Sequence, residues 1–339
     1  MHTLAAFLFS LPLAALAGTH SPYAHRRRSA HWQKSDDAPL ARRNTAYHLQ
    51  QNYTGEALLD GWDFFTGADP TDGIVNFLDR KTAQSKGLAV VQDDGIVRLS
   101  VDSTTQLQSG QPRDSVRIQT KQTFNGGLFI ADFFSMPHGC SVWPAYWSVG
   151  PNWPYDGEID LIEGVNLQVN NQITAHTGNN CVLGDVETAT AHLINDVCTS
   201  TPSSNAGCAF SQPTNASFGH QYNMQGGGVM VHEWTDDAIS VWSFPRNAIP
   251  QDITAGAPNP SSWGPPTALF PSSSGCDVPS NFKDHKLVID TTLCGGWAGD
   301  AFSGDGCPGT CQDFVADPKN FAVAHWTIAS ILVYQPAGN

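Results

Sequence analysis

The segment Trp153-Pro-Tyr-Asp-Gly-Glu-Ile-Asp-Leu-Ile-Glu-Gly-Val-Asn166 carries the most informative pattern in the chain. Glu158, Ile159 and Asp160 alternate acid, apolar, acid, which places both carboxylates on one face of a β-strand. The next residue on that face is number 162, and it is Ile. Glu163 rejoins the acidic face only if the strand holds one extra residue, a β-bulge around Leu161 and Ile162. The strongly apolar Ile159, Leu161 and Ile162 require the opposite face to be buried. A sheet with one face on a core and one face open is therefore expected.

Working outward, other short alternating or apolar runs stand between turn residues. Residues 115–120 alternate with period two, and residues 127–134 (Gly-Leu-Phe-Ile-Ala-Asp-Phe-Phe) read as a buried strand. Residues 229–234 and 238–244 flank Thr235-Asp-Asp237 and predict a hairpin. Residues 286–292 and 326–334 complete the clearest set, and no long helical periodicity or internal repeat is visible. The fold class expected is all-β, two packed antiparallel sheets with a ligand face suited to a long polymer. Ser- and Pro-rich stretches at 201–204 and 258–266 are expected to be surface loops.

The first 43 residues have a different composition. Residues 4–17 form an almost unbroken apolar run ending Ala15-Leu16-Ala17 before Gly18, which predicts an export signal cleaved at a small residue. The run is too short to span a bilayer. Residues 18–43 are polar, with Arg26-Arg27-Arg28 and the dibasic pair Arg42-Arg43, and predict a propeptide or a disordered segment. The catalytic domain would then occupy residues 44–339, as one domain. Without residues 1–43 the chain loses six of its 17 Lys and Arg and two of its 31 Asp and Glu, leaving a formal charge of −18 over 296 residues. Such a chain repels nucleic acid and anionic membrane surfaces. The end of the chain carries no hydrophobic tail of the kind a lipid anchor needs.

All eight cysteines lie in that main part: Cys140, Cys181, Cys198, Cys208, Cys276, Cys294, Cys307 and Cys311. An even count behind an export signal predicts disulfides, and the sequence does not choose their pairing. Zinc is the competing idea for Cys307-Pro-Gly-Thr-Cys311, but no second close Cys or His pair supports it. Asn52 and Asn215 open glycosylation sequons.

An exposed acidic strand face would be the bland explanation of Glu158, Asp160 and Glu163. Three like charges on one face destabilise a strand, so such a cluster points to catalysis or a metal. Three collinear strand carboxylates do not wrap a hard cation as a calcium loop does. Two glutamates that can converge to roughly 5–5.5 Å meet the requirement of a retaining glycosidase, one attacking the anomeric carbon and one protonating the leaving oxygen. Asp160 between them can drive their proton affinities apart.

This core, with Trp153-Pro154 before it and Gly164-Val-Asn166 after it, resembles glycoside hydrolase family 16, in its bulged laminarinase branch. The likeness to basidiomycete-type laminarinases runs from about Tyr47 to Tyr334. It includes Ser115-Val-Arg-Ile118, Gly139-Cys-Ser-Val-Trp-Pro-Ala145, His176-Thr-Gly178, Phe244-Pro-Arg-Asn247 and Cys294-Gly-Gly-Trp-Ala-Gly299. The resemblance implies a concanavalin A-like jelly roll with a concave cleft, Glu158 as nucleophile, Asp160 as its helper and Glu163 as acid/base. It further implies substrate-binding roles for Trp153 and Trp297, whose indole faces suit pyranose rings, and for His176. Arg117, among apolar neighbours in its strand, is a further substrate-contact candidate, with an outward salt bridge as the alternative. Gly296 departs from the polar residue that such laminarinases tend to carry before Trp297. The expectation is a secreted, extracellular or wall-associated monomer hydrolysing β-1,3-glucan from within the polymer, with 1,3/1,4 or 1,3/1,6 linkages also open. It needs no cofactor, and no metal is assigned. A glucan transglycosylase would use the same residues; a non-catalytic glucan-binding lectin on the same sandwich is the reading from another class.

Overall fold

The alternating segments pair into two antiparallel sheets in the computed structural model, which describes residues 46–337 apart from positions 179, 185, 202 and 203. The expected export signal and propeptide lie outside the described residues. One sheet runs Ala268–Pro271, Ala238–Pro245, Gly228–Trp234, Gly127–Ser135, His325–Pro336, Val97–Ser100, Ala89–Val91, with Tyr47–Tyr53 also paired to His325–Pro336. The second runs His192–Asn195, Cys208–Ser211, Gln172–His176, Glu158–Glu163, Val142–Val149, Lys286–Leu293, Arg117–Thr120, Trp62–Phe64. Strands far apart in sequence lie side by side in both, as a jelly roll requires. The described α-helices span only four to six residues each. None is long and apolar enough to cross a membrane.

Alternation dictates the core. Phe129, Ala131 and Phe133 from the first sheet face Ile159, Leu161, Ile162 and Tyr146 from the second, all essentially sealed from solvent. Residues 127–134 lack an exposed face because the other side is covered too. Leu128 and Ile130 pack with Val229, Val231 and Trp242 under Ile249, Ile253 and Trp263. The Pro-rich stretch 258–266 thus does more than cross the surface: Trp263 meets Trp242 edge to face at 5.4 Å and helps close that outer layer. The predicted hairpin forms with Trp234 opposite Ile239 and Gly228 opposite Pro245. The run 115–120 does not form one strand. It breaks at Val116, so that Arg113–Ser115 leaves the sheet and pairs in parallel with Val75–Phe77. Arg113 causes the detour: buried, it donates to the carbonyls of Val315, Asp102, Thr105 and Ala316.

The cysteines form four disulfides: Cys140–Cys307, Cys181–Cys276, Cys198–Cys208 and Cys294–Cys311. Cys307 and Cys311 enter different bridges, which removes the zinc alternative. Two of the bridges tie residues 295–321 to the ends of strands of the second sheet, around a small separate core of Val101, Val142, Leu293, Phe302, Val315 and Phe321. Cys140 and Cys307 are separated by 167 residues. The other bridges shorten the effective loop, and replacing both cysteines by alanine is expected to cost about 4 kcal/mol, or roughly 10 °C in melting temperature. Thermal melts of the double variant beside the parent check this; an unchanged Tm refutes it. The sequon residues Asn52 and Asn215 are both exposed.

Candidate active site

Glycine begins the site. Gly157 has φ +82°, and a Cβ there would lie 2.5 Å from the Asn281 carbonyl oxygen, so only glycine lets the chain turn tightly into Glu158. The strand Glu158–Glu163 then carries the expected bulge. Against Val142–Val149 the register passes from Asp160 opposite Trp147 to Ile162 opposite Tyr146, which makes Leu161 the inserted residue. Leu161 and Ile162 both point into the core, and Glu163 returns to the outer face beside Glu158 and Asp160.

These three acids line a cleft of about 310 Å³ on the outer face of the second sheet. Along Val142–Val149, Trp143, Ala145 and Trp147 fall on the same face by alternation. Trp143 Nε1 donates to Glu163 at 3.0 Å, and Trp147 Nε1 donates to Asp290 at 3.1 Å. Glu163 and Asp290 both sit opposite Ala145, from its two neighbouring strands, so the small side chain leaves a slot framed by two indoles and two carboxyls. Trp153 also lines the cleft and is 45% exposed, leaving an indole available for a ligand.

Not every expected residue reaches the cleft. His176 is buried behind Asp160, its Nε2 3.3 Å from Asp160 Oδ2 and its Nδ1 2.9 Å from Ser200 Oγ. It therefore stands where it can orient an acid, and it is not among the residues lining the cleft. Trp297 is half-buried and meets Trp143 edge to face at 5.6 Å, supporting that indole from the side. Arg117 does line the cleft, but it is held between the rings of Phe65 (4.6 Å) and Trp147 (5.0 Å), 3.9 Å from Asp290. Trp143, Trp147 and Asp290 were not singled out from the sequence. The period-two spacing of the two tryptophans, and one acid inside the apolar run 286–292, were the available signals.

Electrostatics separates this cluster from surface acids. Loss of hydration on burial raises the Glu158 carboxyl to about 8, the Asp160 charge adding to it while His176 and a hydrogen bond from Trp153 oppose it. Burial likewise raises Asp160, and raises Glu163 well above the usual carboxylate range, with further repulsion from Asp160. Asp290 is lifted to about 6 by burial, against the pull of Arg117. Hydrogen bonding to Asp160 also raises the Glu158 carboxyl. Such a cluster cannot hold all its charges at once, and keeps one carboxyl protonated beside one that ionises. Glu158, Asp160 and His176 each offer a ligand atom within 4.8 Å of the others, close enough to grip a divalent cation as well as to share protons.

Paired carboxyls with raised proton affinities, set in an aromatic cleft, are what the chemistry of a glycoside hydrolase requires. Residues 62–334 match the XgeA-like catalytic GH16 domain, and the chain belongs to glycoside hydrolase family 16. A probable glycosidase of Schizosaccharomyces pombe is 42% identical over 294 residues, covering 85% of this chain and 69% of its own. The endo-1,3(4)-β-glucanase xgeA of Emericella nidulans is 39% identical over 310 residues, covering 88% of this chain and 49% of its own, so this chain spans about half that relative's length. Among solved structures, GH16 laminarinase 16A from Phanerochaete chrysosporium, with 6-O-glucosyl-laminaritriose in both donor and acceptor sites, superposes with a TM-score of 0.82 at 43% identity, covering 86% of this chain and 100% of its own. An elongating GH family 16 β-1,3-glucosyltransferase superposes with a TM-score of 0.81 at 40% identity, covering 85% and 100%.

Proposed function

We propose that this chain is a secreted, monomeric β-glucanase that cleaves β-1,3-glucan internally by double displacement, accepting 1,3/1,4 or 1,3/1,6 glucans as well. The observation that carries it is the bulge, which brings Glu158 and Glu163 to one face with both carboxyls raised. Glu158 attacks the anomeric carbon while Glu163 protonates the departing oxygen; Glu163 then takes a proton from water, which releases the sugar. Asp160, held by His176, takes up and returns the proton that Glu158 must not keep. Trp153 offers its indole face to a pyranose ring, and Arg117, which lines the same cleft, is the further substrate contact. The names of the similar fungal glucanases support the substrate class, and exposed Asn52 and Asn215 suit glycans on an exported protein.

Transglycosylation is the second reading, favoured by the likeness to the elongating glucosyltransferase. Incubation with laminarin, laminari-oligosaccharides and mixed-linkage barley glucan separates the two by product size. A spread of shorter oligosaccharides is expected from laminarin. Products longer than the starting oligosaccharide would establish the transferase, and no product from any β-glucan would refute both.

A further inference from the structure

The bulge that aims Glu163 presents a bonding problem. Against Gln172–His176 the register jumps from Asp160 opposite Thr174 to Glu163 opposite Gln172, three residues along one strand for two along the other. A regular ladder cannot serve the backbone across such a step, and buried backbone groups need partners. Asn171, just before the neighbouring strand and fully buried, supplies them. Its Oδ1 accepts from the Glu163 N–H at 2.9 Å, and its Nδ2 donates to the Leu161 carbonyl at 2.8 Å. One side-chain amide thus replaces a peptide group, bonding both sides of the inserted turn of chain.

Asn171 is itself fixed. Its backbone N–H donates to Ser217 Oγ at 2.9 Å, its carbonyl accepts from Gln212 N at 3.0 Å, and Ser217 Oγ in turn donates to Thr214 O at 2.7 Å. Glu163 is consequently held at both ends: its backbone by Asn171, its carboxyl by Trp143 Nε1. Asn171 is buried and does not line the cleft.

We propose that Asn171 is a positioning residue that locks the bulge and so sets the reach of Glu163 for proton transfer. This rests on the acid/base role of Glu163 proposed above. A loosened bulge moves the proton donor without removing cleft contacts, and proton transfer is sensitive to displacements of a fraction of an ångström.

In Asn171→Ala, kcat on laminari-oligosaccharides is expected to fall about 10²-fold with KM within about threefold. On β-laminaribiosyl fluoride, whose leaving group needs little protonation, kcat/KM should fall less than about tenfold. Asn171→Asp keeps the shape. When protonated, its carboxyl can donate to Leu161 and accept from Glu163; when ionised it cannot donate. Its kcat should approach the parent at low pH and collapse as pH rises, along a steeper limb than the parent's. This second variant decides the matter if Asn171→Ala does not fold. Parental kcat in folded Asn171→Ala, equal losses on both donors, or a parental pH profile for Asn171→Asp would each overturn the proposal. Glu163→Gln is run alongside: parental glucan cleavage there would sink the acid/base role itself, whereas its loss beside an unaffected Asn171→Ala sinks only the clamp.

Discussion

Glu158→Gln is expected to lower kcat/KM on laminarin by about 10⁴-fold or more while leaving oligosaccharide binding within a few-fold. The amide fills the same space beside Asp160 but cannot form the glycosyl-enzyme. Stability should move the other way. The Glu158 carboxyl is raised to about 8 in the folded chain from an ordinary value of 4.5. A raised carboxyl favours the fold below its unfolded value, and that contribution is lost as pH climbs to the folded one. Above about pH 8 the parent carries a buried charge that the variant lacks, so the variant should be about 1–2 kcal/mol more stable there, with the gap closing toward pH 4.5. Melting curves across that range, paired with initial rates, test both halves. More than a tenth of parental activity would refute the nucleophile, and a gap that widens on acidification would refute the electrostatics.

Glu163→Gln should reduce kcat/KM on laminari-oligosaccharides by about 10²–10⁴-fold, because the sugar leaving group departs poorly without a proton. On β-laminaribiosyl fluoride the loss should be less than about tenfold. In the parent, activity rises with pH as the cluster sheds its first proton and declines as Glu163 loses its own. Because burial raises Glu163 well above the usual range, that decline sits above ordinary carboxylate titration. On the fluoride donor the variant should lose the declining limb and keep the rising one. Equal losses on both donors would assign Glu163 to binding or folding, not to proton transfer.

Much of this was legible in the chain. Alternation in residues 158–163 exposes a parity conflict that only a bulge resolves, and two of the three acid positions follow from period two alone. The hairpin at 228–245 was readable because Asp236 and Asp237 interrupt two apolar runs. Other features depend on partners distant in sequence. Nothing near Arg113 says that it turns inward, because its acceptors include carbonyls about 200 positions away. His176 reads the same whether it faces a sugar or the back of Asp160, and the sheet register decides. Trp297 looks like a stacking platform until Trp143 is found against its ring. Disulfide pairing belongs to the same class, since the Cys140–Cys307 bridge spans 167 residues.

The inserted Leu161 has a consequence for how such sites change over generations. Removing one residue from an ordinary strand turns every later side chain to the wrong face. Here it does not. With Leu161 deleted, Asp160 still sits opposite Trp147, Ile162 opposite Tyr146 and Glu163 opposite Ala145, and on the other side Asp160 and Glu163 keep Thr174 and Gln172. The loss of a single in-frame codon would therefore yield a flat strand with every downstream pairing intact and the distal acid still facing outward, only closer along the chain to its partner. Bulged and unbulged acid pairs are then one mutational step apart.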